Sequence, residues 1–274
     1  MAFERVQSAL ARARALREGP GFSVNPEEAD DAETVDGDGS FDSDIDRWDE
    51  FPVADLQARL LAQARVVTAS NGDEAPAFDM LRTKVFQQMR ANGWKRIAIT
   101  SPDKGCGKST VAMNLAFGLS RQKEIRTLLA EVDLRRPSLA KALRLPPRAG
   151  MAAMLTREVR PVQAMLRVRD NLVVVANRSR SPLSAELLHS PIAAEVLREI
   201  ETRYRPDFMV FDLPPVMEAD DALAFLGNVD CALLVTSAEH TTSAQLEACL
   251  RDIKARTALA GVVLNKCRID TAGY

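Results

Sequence analysis

From Lys95 onward the chain alternates between short apolar runs and helical segments, and no other feature of the sequence constrains the fold as tightly. The runs are RIAIT (96–100), RTLLAEV (126–132), NLVVVA (171–176), FMVFD (208–212), CALLVT (231–236) and AGVVLN (260–265). Helix-like segments lie between most of them, at 108–121, 191–204, 219–227 and 241–256. A strand that is apolar along its whole length is buried on both faces, and parallel strands need crossover connections of helix length. The expectation is an α/β fold with a doubly wound, mostly parallel sheet. Its ligands should bind beyond the carboxyl ends of the strands.

The first of those ends carries SPDKGCGKST, residues 101–110. Gly107, Lys108 and Ser109 complete the pattern G-x-x-x-x-G-K-[ST], but Pro102 stands where its first glycine belongs. Proline supplies a turn with fixed φ, so the cradle formed by residues 104 to 109 survives the exchange. In such a loop successive backbone N–H groups face one concavity, and the helix N-terminus adds partial positive charge. Lys104, Gly105, Cys106, Gly107, Lys108, Ser109 and Thr110 are the candidate nucleotide-binding residues. Lys108 would reach the β- and γ-phosphates, and Ser109 would ligate Mg²⁺.

Two further strand ends are acidic. LLAEVDLRRPS places Glu131 and Asp133 after the second run, where a spacing of two puts them on one side, and FMVFDLPP places Asp212. A cation held by one hydroxyl and by phosphate oxygens keeps waters that carboxylates orient, so Ser109, Asp133 and Asp212 are the candidate metal residues. The last run ends in LNKC. Asn265 is a candidate for the base edge. Arg268 stands where a guanine-reading aspartate would be needed, which favours adenine.

Ahead of residue 95 the chain is different. Phe3, Val6, Leu10, Ala13 and Leu16 recur at helical spacing, so residues 1–18 are expected to form an amphipathic helix, packed on its own domain or docked to a partner or an anionic membrane surface. Residues 19–50 are acidic and rich in Gly, Ser and Pro, with twelve acidic side chains against one arginine in 27–50, and are expected to be a disordered linker. Helical periodicity at 54–65 and 77–91 makes 51–92 a helical lead-in to a catalytic domain at 93–268, leaving 269–274 as a tail. Cys106, Cys231, Cys249 and Cys267 form no C-x-x-C pair, and reduced cysteines suit a cytoplasmic protein. The N-terminus lacks a signal-peptide apolar core, and no apolar run approaches the ~18 residues of a membrane span.

The stretches AFDMLRT, ITSPDKGCGKSTVAMNLA, LLAEVDLRRPS, PLSAELLHSP, FMVFDLPPVMEADDALAF and GVVLNK occur in order between Ala77 and Lys266. Together they resemble the bacterial tyrosine kinase family of exopolysaccharide synthesis, P-loop ATPases related to the partition and cell-division ATPases. The resemblance implies a P-loop NTPase fold, ATP and Mg²⁺ as cofactors, and Lys108, Asp133, Glu131 and Asp212 as the catalytic set. A carboxylate near Asp133 would orient or deprotonate the acceptor. It also implies a membrane chain-length regulator, a polysaccharide co-polymerase, as partner at the inner face of the membrane, with self-association and without nucleic acid. Arg135 and Asp221 match recurrent family positions.

Several positions depart from the family. Glu131 replaces the usual Asp, Lys104 replaces Pro, and Asp103 occupies the second-lysine position of partition-type relatives. Of the ring-forming E-x-x-R-x-x-R only Arg82 is kept, with Pro76 and Asp79 at the other places. The C-terminal tyrosine run is reduced to Tyr274, the candidate phospho-acceptor, and the chain's other tyrosine is Tyr204. Beside a kinase, the sequence therefore leaves open a partition- or cell-division-type ATPase and a non-hydrolysing ATP-sensing assembly module.

Overall fold

The computed structural model describes residues 47–69, 75–218, 220–238 and 240–267. The expected helix at 1–18, the tail at 269–274 and most of the expected acidic linker lie outside the described residues.

Seven strands form one sheet in the order β3-β4-β2-β5-β1-β6-β7. They are β1 (Arg96–Thr100), β2 (Thr127–Glu131), β3 (Leu166–Arg169), β4 (Leu172–Val175), β5 (Phe208–Asp212), β6 (Cys231–Ser237) and β7 (Ala258–Asn265). All neighbours are parallel except β3 and β4, which form a hairpin. Six strands match the apolar runs. The seventh, β3, has the sequence LRVR with two arginines, so no apolar run announces it. It lies outermost on its side of the sheet, where charge is tolerated.

The helices are α1 (Ala58–Gln63), α2 (Ala75–Asn92), α3 (Lys108–Leu119), α4 (Leu139–Ala142), α5 (Met151–Leu155), α6 (Pro161–Ala164), α7 (Ser184–His189), α8 (Pro191–Tyr204), α9 (Asp220–Phe225) and α10 (Ser243–Lys254). They cover both faces of the sheet, and strand alternation divides the core accordingly. Leu128, Ala130, Met209 and Phe211 face one apolar cluster, which includes α8 and α9. Leu129, Val210, Ile97 and Ile99 face the other, which includes α2 and α3.

α3 is buried from Val111 to Leu119. Its Asn114 is fully enclosed and holds the lead-in. Asn114 Nδ2 donates to Arg65 O at 2.8 Å and to Thr110 O at 2.9 Å, and Oδ1 accepts from Thr68 N–H at 3.1 Å. The lead-in is thus part of the fold. Its helical content is α1 and α2, and residues 54–57, expected to be helical, are not.

Residues 47–50 correct the expectation of a disordered linker up to residue 50. They form a 3₁₀ turn whose Trp48 is 2% exposed. Trp48 Nε1 donates to Tyr204 O at 2.6 Å, and Phe51 packs between the Trp48 and Tyr204 rings. One large aromatic burial outweighs an acidic local composition. From there Pro52 and Ala54 exchange hydrogen bonds with Arg167 of β3 and cover the outer edge of that strand.

Candidate active site

The loop 101–107 leaves the carboxyl end of β1 and turns into α3. Its path is set by neighbours. Ser101 O accepts from Val216 N–H at 2.8 Å, and Pro102 O accepts from Met217 N–H at 3.2 Å. Position 102 is held through its carbonyl, so a residue without an N–H serves there. Gly105 has φ +81° and a β-carbon there would project into open space. Gly107 has φ +95°, and a β-carbon there would lie 2.2 Å from Asn265 Nδ2. Only glycine meets both the dihedral and the space at 107.

That nitrogen belongs to a brace. Asn265, the last residue of β7, donates from Nδ2 to Cys106 O at 2.8 Å, and its Oδ1 accepts from Lys266 N–H at 2.9 Å. The side chain expected to read a base edge is here engaged in holding the loop. Glu218 is a second brace, and sequence reasoning passed over it. It accepts from Lys104 N–H at 2.8 Å and from Arg136 Nη1. Burial raises its carboxyl, but these partners outweigh it and hold the group below its ordinary value. The available signal was position: Glu218 follows the Pro-Pro turn whose next two amides pair with the loop.

Lys108 lies between two carboxylates. Its Nζ is 3.0 Å from Asp133 Oδ2 and 3.5 Å from Asp212 Oδ1. Burial draws the ammonium down, but Asp212 and Asp133 outweigh it and raise it above its ordinary value. Asp212 is fully buried, which pushes its carboxyl up against the pull of Lys108. Its Oδ2 has no hydrogen-bond partner among the described residues. Asp133 is held by Arg136 N–H on Oδ1 at 2.9 Å, and its own N–H donates to Asp212 O at 3.1 Å. β5 thus lies between β1 and β2 and brings both acids to the loop.

Glu131 does not point with Asp133. β2 ends at Glu131, and Leu134 N–H closes back on Val132 O at 2.8 Å, so strand alternation no longer applies at 133. The Glu131 carboxylate is buried and accepts from the N–H groups of Ser138, Leu139 and Asn177, the last two at 2.8 Å each. Burial pushes this carboxyl up to about 7 against those three donors. The extra methylene relative to aspartate supplies the reach to the 138–139 turn. Ser138 Oγ in turn lies 3.5 Å from Ser109 Oγ.

A hollow of about 250 Å³ opens over these groups, lined among others by Gly105, Lys108, Ser109, Thr110 and Asp133. The fit of a nucleotide and a cation rests on three observations. Gly105 and Gly107 line the hollow without β-carbons. A helix N-terminus opens into it. Asp212, paired with the lining residue Lys108, has a buried carboxylate oxygen without a partner among the described residues. No cluster of three or more metal-ligating side chains occurs among the described residues. Mg²⁺ needs only one or two protein ligands and keeps phosphate oxygens and waters.

Asp79 and Arg82, at the ring-motif positions, are engaged within the chain. Asp79 pairs with Arg121 at 2.9 Å and lies 3.5 Å from Arg82. Arg135 and Asp221 are also brought together. Arg135 donates to both oxygens of the buried Asp221, at 2.8 and 2.9 Å, and Ser184 Oγ is hydrogen-bonded to the same carboxylate. Tyr274 lies outside the described residues.

Residues 94–271 match the ParA family, described as NUBPL iron-transfer P-loop NTPase. The tyrosine-protein kinase YwqD of Bacillus subtilis is 34% identical over 205 residues, covering 74% of this chain and 82% of that protein. The chain belongs to the bacterial tyrosine kinases within the ParA class of P-loop NTPases. The succinoglycan biosynthesis transport protein ExoP of Rhizobium meliloti is 29% identical over 214 residues, which are 76% of this chain and 27% of that longer protein. Among solved structures, the chimerical protein CapA2B2 shares the fold with a TM-score of 0.68 at 24% identity, covering 80% of this chain and 95% of that one. The α/β, mostly parallel P-loop NTPase architecture expected from the apolar runs is the one found. Among the described residues no helix is long and apolar enough to cross a membrane.

Proposed function

We propose that this chain binds ATP and Mg²⁺ at the loop 101–110 and transfers the γ-phosphoryl group to a tyrosyl hydroxyl, as part of exopolysaccharide assembly. It acts in the cytoplasm, brought to the inner face of the membrane by a chain-length regulator. The observation that carries the reading is one buried ammonium, Lys108, lying between two strand-end carboxylates, one of which keeps an oxygen without a partner.

Asp133 and Asp212 keep Lys108 charged where phosphate oxygens enter the hollow. The cradle amides and the α3 N-terminus bind anionic oxygens without reorganisation. Ser109 Oγ and Asp212 Oδ2 are the groups that would hold Mg²⁺, directly or through water, and bound there it would neutralise charge on the transferring phosphoryl group. Asp133, whose Oδ2 accepts a hydrogen bond from Lys108, would take the acceptor proton. Glu131, saturated by three backbone donors, positions the 138–139 turn.

Tyr204 is not the acceptor. It is 3% exposed and precedes β5, at the opposite end of the sheet from the loop. The acceptor is Tyr274 or a tyrosine of the partner. Incubation with γ-labelled ATP and Mg²⁺, with and without a co-expressed membrane partner, tests this. Label on tyrosine supports the kinase. Phosphate release without label makes the chain an ATPase, and neither makes it an ATP sensor.

A further inference from the structure

Beyond the 138–139 turn from the nucleotide hollow lies a second one, of about 270 Å³. Leu145, Ala164, Leu166 and Ala176 contribute apolar surface to it, and Lys141, Arg148 and Arg178 contribute three cations. None of the three side chains has an ion-pair or hydrogen-bond partner among the described residues. Other arginines are matched, as Arg96 is by Glu201 and Arg157 by Glu195 and Glu199, whereas these three cations line one hollow together. An apolar surface rimmed by three unmatched cations fits an acidic peptide that also carries large apolar side chains.

We infer that the occupant is the chain's own acidic segment, residues 27–46. EEADDAETVDGDGSFDSDID holds ten acidic residues, no basic one, and the apolar side chains Val35, Phe41 and Ile45 spaced among them. The segment lies outside the described residues, and the point where it joins the fold favours this hollow. It joins at Arg47, and Asp49, two residues on, pairs with Arg167, the neighbour of Leu166 in the hollow wall. The chain is fixed from Arg47 onward, and twelve positions separate Val35 from Arg47, a span of up to about 40 Å when extended. The folded part, some 220 residues, has a radius of gyration of only about 17 Å. The arm therefore reaches the hollow without strain.

Docking there has a consequence for the neighbouring site. Lys141 lies on α4, whose preceding residue, Ser138, touches Ser109. An arm seated on Lys141 fixes that wall and keeps other acidic segments from the hollow. The inference does not depend on nucleotide binding.

The test uses the full chain and a glutamyl endopeptidase, reading cleavage after Glu33 against a free peptide of residues 27–46 at the same ionic strength. Surface ion pairs of this kind are each worth a fraction of a kcal/mol and are screened by salt, so about tenfold protection is expected in 20 mM salt and none in about 500 mM. Lys141→Glu/Arg148→Glu/Arg178→Glu should abolish the low-salt protection. So should Asp38→Asn/Asp42→Asn/Asp44→Asn, which leaves every residue of the described fold unchanged and so separates lost docking from lost folding. Cleavage at the free-peptide rate in the unaltered chain would overturn the inference, as would protection that persists in either variant. Protection lost on dilution would assign the arm to a second copy and overturn it too. Equal binding of the separate peptide to the unaltered chain and to the arm variant would show an open hollow that takes a partner's acidic segment, and the inference would again be overturned.

Discussion

Two ion clusters flank the end of β2 and are built in opposite ways. In the Arg135–Asp221–Ser184 cluster both oxygens of the buried carboxylate are occupied, by a bidentate guanidinium and a hydroxyl. In the Lys108–Asp133–Asp212 cluster one ammonium serves two carboxylates, and an oxygen of the fully buried Asp212 is left over. A saturated pair can only hold the fold together, whereas an unsaturated one destabilises the empty protein and is relieved by a ligand. The difference predicts that damage to the first cluster is read in stability and damage to the second in binding.

The largest effect should come from Arg135→Ala. It leaves the buried Asp221 charge unpaired and should cost about 3–5 kcal/mol in urea unfolding, while Asp221→Ala, which frees a half-exposed arginine to rehydrate, costs less. Equal losses would break the argument from burial. Lys108→Ala should weaken Mg²⁺–ATP binding about 100-fold by calorimetry, because charged hydrogen bonds are worth ~1.5–3 kcal/mol, and unchanged affinity would remove the site.

Glu131→Asp tests the turn between the two hollows. Shortening withdraws the carboxylate from the Ser138, Leu139 and Asn177 amides and should cost ~1–2 kcal/mol of stability. In the unaltered chain the same group gives a pH signature. Its folded value, raised to about 7, exceeds its unfolded value, so its contribution to stability is fullest below the ordinary carboxyl range and is lost as pH rises towards 7. A Glu131→Gln chain should show a flatter melting-temperature profile over that window.

The smallest effect, and the sharpest for the comparison, is Asp212→Asn. Removing an undersatisfied buried charge should leave the empty protein as stable or up to ~1 kcal/mol more so, while abolishing the magnesium-dependent part of the ATP affinity. A destabilised variant with intact magnesium dependence would mean that Asp212 belongs with the structural cluster.

What could be read from the sequence follows from how local each signal is. Six strands and the loop with Lys108 and Ser109 are written in contiguous residues, so patterning reaches them. β3 escaped because an outermost strand need not be apolar, and Trp48 because one side chain docking on Tyr204, far along the chain, leaves no trace in an acidic stretch. Glu131 was legible as a strand-end acid but its direction was not, since the tight turn at Val132 to Leu134 breaks the alternation on which the inference rested. Glu218 and Asn265 act on the loop through backbone groups more than a hundred residues away, and no spacing rule connects them. Arg135 and Asp221 could be singled out only through the family resemblance, because their partnership exists only in three dimensions.

The amide of Asn265 fills the volume that any side chain at 107 would require, which imposes an order on mutational paths through this loop. Libraries randomised at 107 alone should return glycine. Position 265 can lose bulk first, but the left-handed backbone at 107 still keeps glycine there, so tolerance at this pair runs in one direction only.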